Sequence, residues 1–220
     1  MKWPDDYLGK IFNCDCIEIM KTIPDKAVDL VLTDPPYGIG IDGQKARNCP
    51  NPKHNRKAYD FMGWDNFIPP KEVFDEIFRI SMNAIIWGGN YFCRYLLNSK
   101  KGWLIWDKGQ RGLTMSDCEI AFSSFDTATR IFTLNRAWTI QAETEHPTQK
   151  PEELMHWCLN NNSEKGQTVF DPFMGSGTTA VACERLGRKW FGCEIKESYC
   201  RIAEKRIAAE RNQLKLPFTI

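Results

Sequence analysis

Asp34-Pro35-Pro36-Tyr37-Gly38 directly follows the apolar run Val28-Asp29-Leu30-Val31-Leu32. An acid, two prolines and an aromatic ring at the end of a buried strand suit a planar amine. The carboxylate can accept a hydrogen bond from an amino group. Pro35 has no N–H and restricts the chain, so a backbone carbonyl of the Pro35-Pro36 segment can face the same amine. Tyr37 offers a ring on which a base can stack. Together these four residues suit chemistry at the exocyclic nitrogen of a nucleobase, and Asp34, Pro35, Pro36 and Tyr37 are the candidate catalytic group.

A second constellation lies far downstream, at Asp171-Pro172-Phe173-Met174-Gly175-Ser176-Gly177-Thr178-Thr179. Glycines in such a strand-to-helix turn allow positive φ and close backbone approach, and they commonly cradle a phosphate. Yet the run fits neither the Gly-x-x-x-x-Gly-Lys-[Ser/Thr] nor the Gly-x-Gly-x-x-Gly pattern. No lysine follows its second glycine, so a nucleoside cofactor without a polyphosphate fits better. Glu194 lies about 20 residues beyond the loop, just past the next strand, where an acid can bind ribose hydroxyls.

These groups need elements to position them. The chain alternates strands and helices: strands near Ile11, 29–33, 84–87, 103–106, 119–123, 130–133, 168–170 and 190–192, with the two segments at 119–123 and 130–133 expected to be late strands of antiparallel sense. Helices are expected over 16–22, from Pro70 to Met82, over 151–159, over 178–186 with Gly187 as its cap, and from Tyr199 to about Leu214. Near-continuous apolar strands point to a mostly parallel sheet covered on both faces, an α/β fold. In such sheets ligands bind at the carboxyl ends of the strands, where Asp34, Trp87-Gly88-Gly89-Asn90, Asp171 and Glu194 all fall.

Composition narrows the class. The chain has 220 residues, 42% hydrophobic and 26% charged, with a net charge of +1, as expected of a single globular domain spanning 1–220. Any nucleic-acid surface must come from local clustering of charge. No run of about 18 apolar residues is present, so no membrane partner is expected. Nine cysteines, an odd number, fit reduced thiols and a cytoplasmic setting. Cys14 and Cys16, and Cys49 with His54, match no complete zinc spacing, so no metal is expected.

The ordered set of motifs resembles the S-adenosylmethionine-dependent DNA amino-methyltransferases, in the permuted β class where the catalytic Asp-Pro-Pro-Tyr precedes the cofactor glycine loop. The resemblance runs from about Ile11 to Arg206. It implies a Rossmann-like, circularly permuted fold with a seven-stranded sheet. It places the cofactor's adenine near Asn13-Cys14-Asp15-Cys16, with Asp15 accepting from its amino group, and its methionine part against His146, Thr148 and Lys150 of His146-Pro147-Thr148-Gln149-Lys150-Pro151. Asp34, Asp171, Phe173, Gly175, Ser176, Gly177, Thr178, Thr179 and Glu194 complete the implied cofactor set. Trp87-Gly88-Gly89-Asn90-Tyr91-Phe92 and Trp106-Asp107-Lys108 resemble supporting motifs. The implied activity is methylation of a flipped-out adenine N6 in duplex DNA, because aspartate at the first motif position leans toward adenine in these families. Cytosine N4 methylation on the same fold, and a catalytically silent DNA-binding homologue, are the alternatives.

The DNA-facing surface is expected in the 39–64 loop, whose residues 44–57 hold Lys45, Arg47, Lys53, Arg56 and Lys57 and no acid, a pattern suited to phosphate contact. The span 125–145 is short for a target-recognition insert, and it holds Arg130 and Arg136 as further candidate DNA contacts. A homodimer could complete the recognition surface. The resemblance also leaves room for a cognate restriction endonuclease, in a bacterial or phage-infected cell with the protein at the nucleoid.

Overall fold

A computed structural model describes residues 1–40, 42–43, 61, 63, 65–96, 102–112, 116–135 and 149–214. One sheet organises them, in the order β1-β8-β7-β2-β3-β5-β4-β6. The strands are β1 (Ile11–Phe12), β2 (Val28–Thr33), β3 (Ser81–Trp87), β4 (Trp103–Asp107), β5 (Cys118–Ser123), β6 (Arg130–Thr133), β7 (Thr168–Asp171) and β8 (Lys189–Cys193). The helices are α1 (Cys16–Met20), α2 (Lys71–Ile80), α3 (Glu152–Asn162), α4 (Thr178–Leu186) and α5 (Glu197–Leu214).

The described sheet thus has eight strands rather than the seven expected. β6 pairs with β4 and extends the sheet by an edge strand. The expected antiparallel sense holds for β5, which runs against both β3 and β4. It fails for β6, which lies parallel to β4. A strand that does not touch β5 is free to keep the direction of the rest.

Both faces of β2 and β3 are covered, which explains their apolar runs. Leu30, Leu32, Ile85 and Trp87 pack with α3, α4 and α5 residues, whereas Val31, Ala84 and Ile86 pack with α1 and α2. α2 buries Val73, Phe74, Ile77 and Ile80, one stripe of the helix. Pro70 and Pro151 stand as N-caps just outside α2 and α3 rather than inside their first turns. α1 ends at Met20, two residues before the expected end.

The strand order turns at β2. From it the chain moves outward to β3 on one side, while β7 and β8 build the other side. A crevice between the carboxyl ends of β2 and β7 follows from that reversal. Asp34 sits just past β2 and Asp171 is the last residue of β7.

Candidate active site

Thr33 closes β2, and its buried hydroxyl donates to Asp171 Oδ1 at 2.7 Å. The residue before Asp34 is therefore bonded to the residue that opens the glycine loop. The two constellations, 137 residues apart in sequence, meet at one point of the sheet edge.

On the β2 side, Asp34 is held at both oxygens. Tyr37 Oη donates to Oδ1 at 2.5 Å and Lys150 Nζ donates to Oδ2 at 2.6 Å. Lys150 Nζ also lies 3.1 Å from Tyr37 Oη and 3.0 Å from Glu119 Oε2. Lys108 Nζ pairs with Glu119 Oε1 at 2.8 Å. A chain of alternating charge thus runs Asp34–Lys150–Glu119–Lys108. Burial raises the Asp34 carboxyl above its usual range, the nearby Glu119 adds to that, and Lys150 and Tyr37 oppose it. Burial also works upward on Glu119, but Lys150 and Lys108 outweigh it and bring that carboxyl down to about 2. Burial would lower the Lys150 ammonium, but Asp34 and Glu119 overcome it and hold the group charged. Burial and Asp34 raise the Tyr37 phenol well above its ordinary value, so it remains a donor.

Tyr37 is itself placed by packing. Tyr91 stacks on it with centroids 4.7 Å apart at 14°, and Phe92 meets it edge-on. Gly88 makes room: it has φ +74°, and a Cβ there would fall 2.2 Å from Tyr37 Cε1. After Tyr37 the chain is pinned from the far side of the 39–64 loop. The buried Asp65 accepts from the Gly38 N–H at 2.8 Å, and its carbonyl accepts from Gly40 N–H.

On the β7 side, neutral donors replace the lysines. Asp171 accepts from Thr33, from the Phe173 N–H at 3.0 Å, and at Oδ2 from Thr179 Oγ1 at 2.7 Å. Burial pushes its carboxyl up to about 6, against the pull of those hydrogen bonds. Asp171 therefore lies beneath the loop and ties both its ends. Gly177 takes φ +82° at the N-cap of α4, where a Cβ would meet Ala203 at 2.8 Å. Arg206 of α5 donates to the Ser176 carbonyl at 2.6 Å and also reaches Ser176 Oγ, Thr178 Oγ1 and Glu152. Ser176 Oγ donates to Gln149 at 3.0 Å. Gly175 presents open space, with no atom nearer than 4.0 Å to a Cβ placed on it.

Glu194 follows β8 and accepts from the Gly175 N–H at 2.9 Å and the Lys196 N–H at 2.8 Å. Burial raises its carboxyl and those N–H groups oppose the rise. Each oxygen keeps a second lone pair for a hydroxyl. Asn13 donates to the Glu194 and Ile195 carbonyls, so the turn after β1 joins the same wall. Asp15 caps α1 by accepting from the Ile17 N–H at 2.9 Å, and Cys16 beside it is buried. Burial pushes the Cys16 thiol up to about 12, which leaves it protonated. An open glycine turn, an acid with free lone pairs and a capping aspartate on one wall fit a nucleoside cofactor.

Of the expected site residues, Asp34, Pro35, Pro36, Tyr37, Lys150, Asp171 and the 173–179 loop converge between β2 and β7, with Asp15, Cys16 and Glu194 along the β1–β8 wall. Lys150 stands against Asp34, beyond its expected place beside the cofactor. Arg130 lies elsewhere: it begins β6, opposite Leu104, so it sits toward the amino ends of the strands and away from the Asp34 edge. Lys45, Arg47, Lys53, Arg56, Lys57, Arg136, His146 and Thr148 lie outside the described residues. Sequence reasoning missed Glu119, Asp65 and the role of Tyr91. The position of Lys108 in a supporting motif was the one signal toward the charge chain.

The fold and site together define an S-adenosylmethionine-dependent amino-methyltransferase. The chain belongs to the DNA methylase family of N6/N4 amino-methyltransferases, whose model matches residues 86–205, more than half of it. It is 28% identical over 251 aligned positions to the type II methyltransferase M.HinfI of Haemophilus influenzae, covering 92% of this chain and 69% of that protein. It is 25% identical to the putative methylase YubD of Escherichia coli K12, covering 94% of each. Among solved structures, the M1.HpyAVI–SAM complex superposes with a TM-score of 0.63 at 23% identity, over 90% of this chain and 98% of that one. The cytosine-N4-specific PvuII DNA methyltransferase superposes at 0.60 with 15% identity, over 97% and 90%.

Proposed function

We propose that the protein transfers a methyl group from S-adenosylmethionine to N6 of an adenine in duplex DNA. The observation that carries this reading is the Thr33–Asp171 hydrogen bond, which sets the amine-binding Asp34 beside the glycine loop. Bound there, S-adenosylmethionine supplies an electrophilic methyl group on sulfonium sulfur. Asp15, the 173–179 loop and Glu194 are the residues that would hold it.

A base inside a duplex cannot present its amino group, so it must leave the stack, at a cost of a few kcal/mol. Tyr37 and Tyr91 form an aromatic platform at the pocket that offsets part of this cost. Asp34 and a carbonyl of the Pro35-Pro36 segment accept the two amino protons and free the nitrogen lone pair. The lone pair forms the new N–C bond while the S–C electrons stay on sulfur, and the proton then leaves the methylated amine. Positioning and electrostatics are the protein's part. The basic run 44–57 is the proposed phosphate contact.

The aspartate at the first motif position favours adenine. The likeness to the PvuII cytosine-N4 enzyme supports cytosine N4 as the second reading. Incubation with S-adenosylmethionine and unmethylated duplex DNA, followed by nucleoside digestion and mass spectrometry, tests both. N6-methyldeoxyadenosine is expected. N4-methyldeoxycytidine would overturn the base assignment, and no methylated nucleoside would overturn the reading.

A further inference from the structure

Lys150 is where a substrate amine would be expected. Its ammonium is buried, 2.6 Å from Asp34 Oδ2 and 3.1 Å from Tyr37 Oη. Two problems follow for any amine that Asp34 is to activate. A carboxylate bridged to a cation is a weaker acceptor for a second donor. Positive charge also develops on the target nitrogen as the N–C bond forms, and an ammonium bound to the same carboxylate opposes it in a pocket of low dielectric.

A second acceptor stands within reach. Glu119 Oε2 is buried and forms an ion pair with Lys150 Nζ at 3.0 Å, yet among the described residues it makes no hydrogen bond of acceptable geometry. A buried carboxylate oxygen without a directed donor is costly. Its partner oxygen is anchored by Lys108 at 2.8 Å, so the carboxylate has a fixed place. A small rotation about the last bonds of the Lys150 side chain would exchange Asp34 for Glu119 without moving the backbone.

We propose that Glu119 is a positioning residue for methyl transfer, taking the Lys150 ammonium off Asp34 when the target amine docks, with Lys108 holding Glu119 in place. The inference rests on the reading of Asp34 as the acceptor for that amine. Before docking, Lys150 keeps the half-buried Asp34 charge paired. After docking, Asp34 has a full carboxylate for the amine, and the lysine charge stays neutralised by Glu119.

Single-turnover methyl transfer at saturating DNA and cofactor tests this, with calorimetric S-adenosylmethionine binding as a control. Glu119→Gln strands Lys150 on Asp34 and is expected to slow transfer about 100-fold with cofactor affinity kept. Adding Lys150→Met to it removes the obstructing ammonium and is expected to recover at least about tenfold of that rate. A purely structural bridge would give a double variant no faster than Glu119→Gln. Lys150→Arg guards against a folding failure: it preserves the charge, and its fork can engage both carboxylates at once. It is expected to slow transfer about tenfold or more, whereas a structural bridge would tolerate it. Wild-type rates for Glu119→Gln or Lys150→Arg, or no recovery in the double variant, would overturn the proposal. A wild-type protein that binds cofactor and methylates no base would instead overturn the proposed function beneath it.

Discussion

Asp34 follows β2 and Asp171 ends β7, its neighbour in the sheet; Asp171 is buried and Asp34 half-buried, and the two are solvated by opposite means. Asp34 belongs to a chain of charges with Lys150, Glu119 and Lys108. Among the described residues, Asp171 has two hydroxyls and a backbone N–H. The outcome is visible in the carboxyls. Two lysines bring Glu119 down to about 2, while neutral donors leave Asp171 up at about 6. The neutral donors lower the Asp171 carboxyl without outweighing its desolvation, and a single lysine does not outweigh it at Asp34 either, whereas two lysines reverse it at Glu119. The first arrangement can exchange partners and suits a reacting acid. The second is rigid and suits a loop that must keep its shape.

The largest expected effect separates the two acids. Asp34→Ala should lower methyl transfer by about 1,000-fold or more, while S-adenosylmethionine still binds by calorimetry, because Lys150 keeps Glu119 as its partner. Turnover near wild type would break the assignment of the reacting acid to the β2 side.

Next comes pH. The folded Asp171 carboxyl lies at about 6 against an ordinary 3.8. Its contribution to stability is therefore complete below pH about 4 and is lost as pH rises through about 6, by up to about 3 kcal/mol. Glu119 has the opposite sign: its contribution is present above pH about 4.5 and lost as pH falls toward 2. Thermal unfolding across pH 4–7 should show a decline in wild type that Asp171→Asn flattens. An identical pH dependence in both proteins would contradict the uncompensated burial of Asp171.

Gly88→Ala should come third. The added Cβ would strike the Tyr37 ring, shift the phenol from Asp34, and lower the turnover number about 100-fold. Cofactor affinity should be unchanged, since the change lies on the β2 side. A raised cofactor KM with normal turnover would show that the two sides are not separable. The smallest effect belongs to Arg206→Ala, which removes the clamp on Ser176 and Thr178. The cofactor KM should rise about tenfold with little change in turnover, the mark of lost ground-state binding.

The sequence was most informative where one residue's chemistry is sufficient. Asp34-Pro35-Pro36-Tyr37, the glycine loop and Glu194 each follow a strand with a clear apolar period, so their shared edge is legible in the sequence alone. The reversed β5 was also expected. Edges and partners were less legible. Periodicity marks a strand but not which neighbour it chooses, so the eighth strand and the parallel sense of β6 depended on pairing between distant segments. Glu119 reads in sequence as an ordinary strand residue; only the folding of β5 beside β4, with Lys150 arriving from before α3, makes it a half-buried acid between two lysines.

By itself, the sequence determined the residues that can accept an amine, the turn that can approach a nucleoside, and the α/β order that brings strand ends to one edge. Tertiary structure alone decided that Asp34 starts out paired with Lys150, that Asp171 supports the loop from beneath, and that Arg130 stands at the amino end of β6. The physical reason is that side-chain types and periods are local properties, whereas ion pairing, desolvation and strand neighbours depend on distances between separate segments, up to the 138 residues between Thr33 and Asp171, which are defined only once the core has closed.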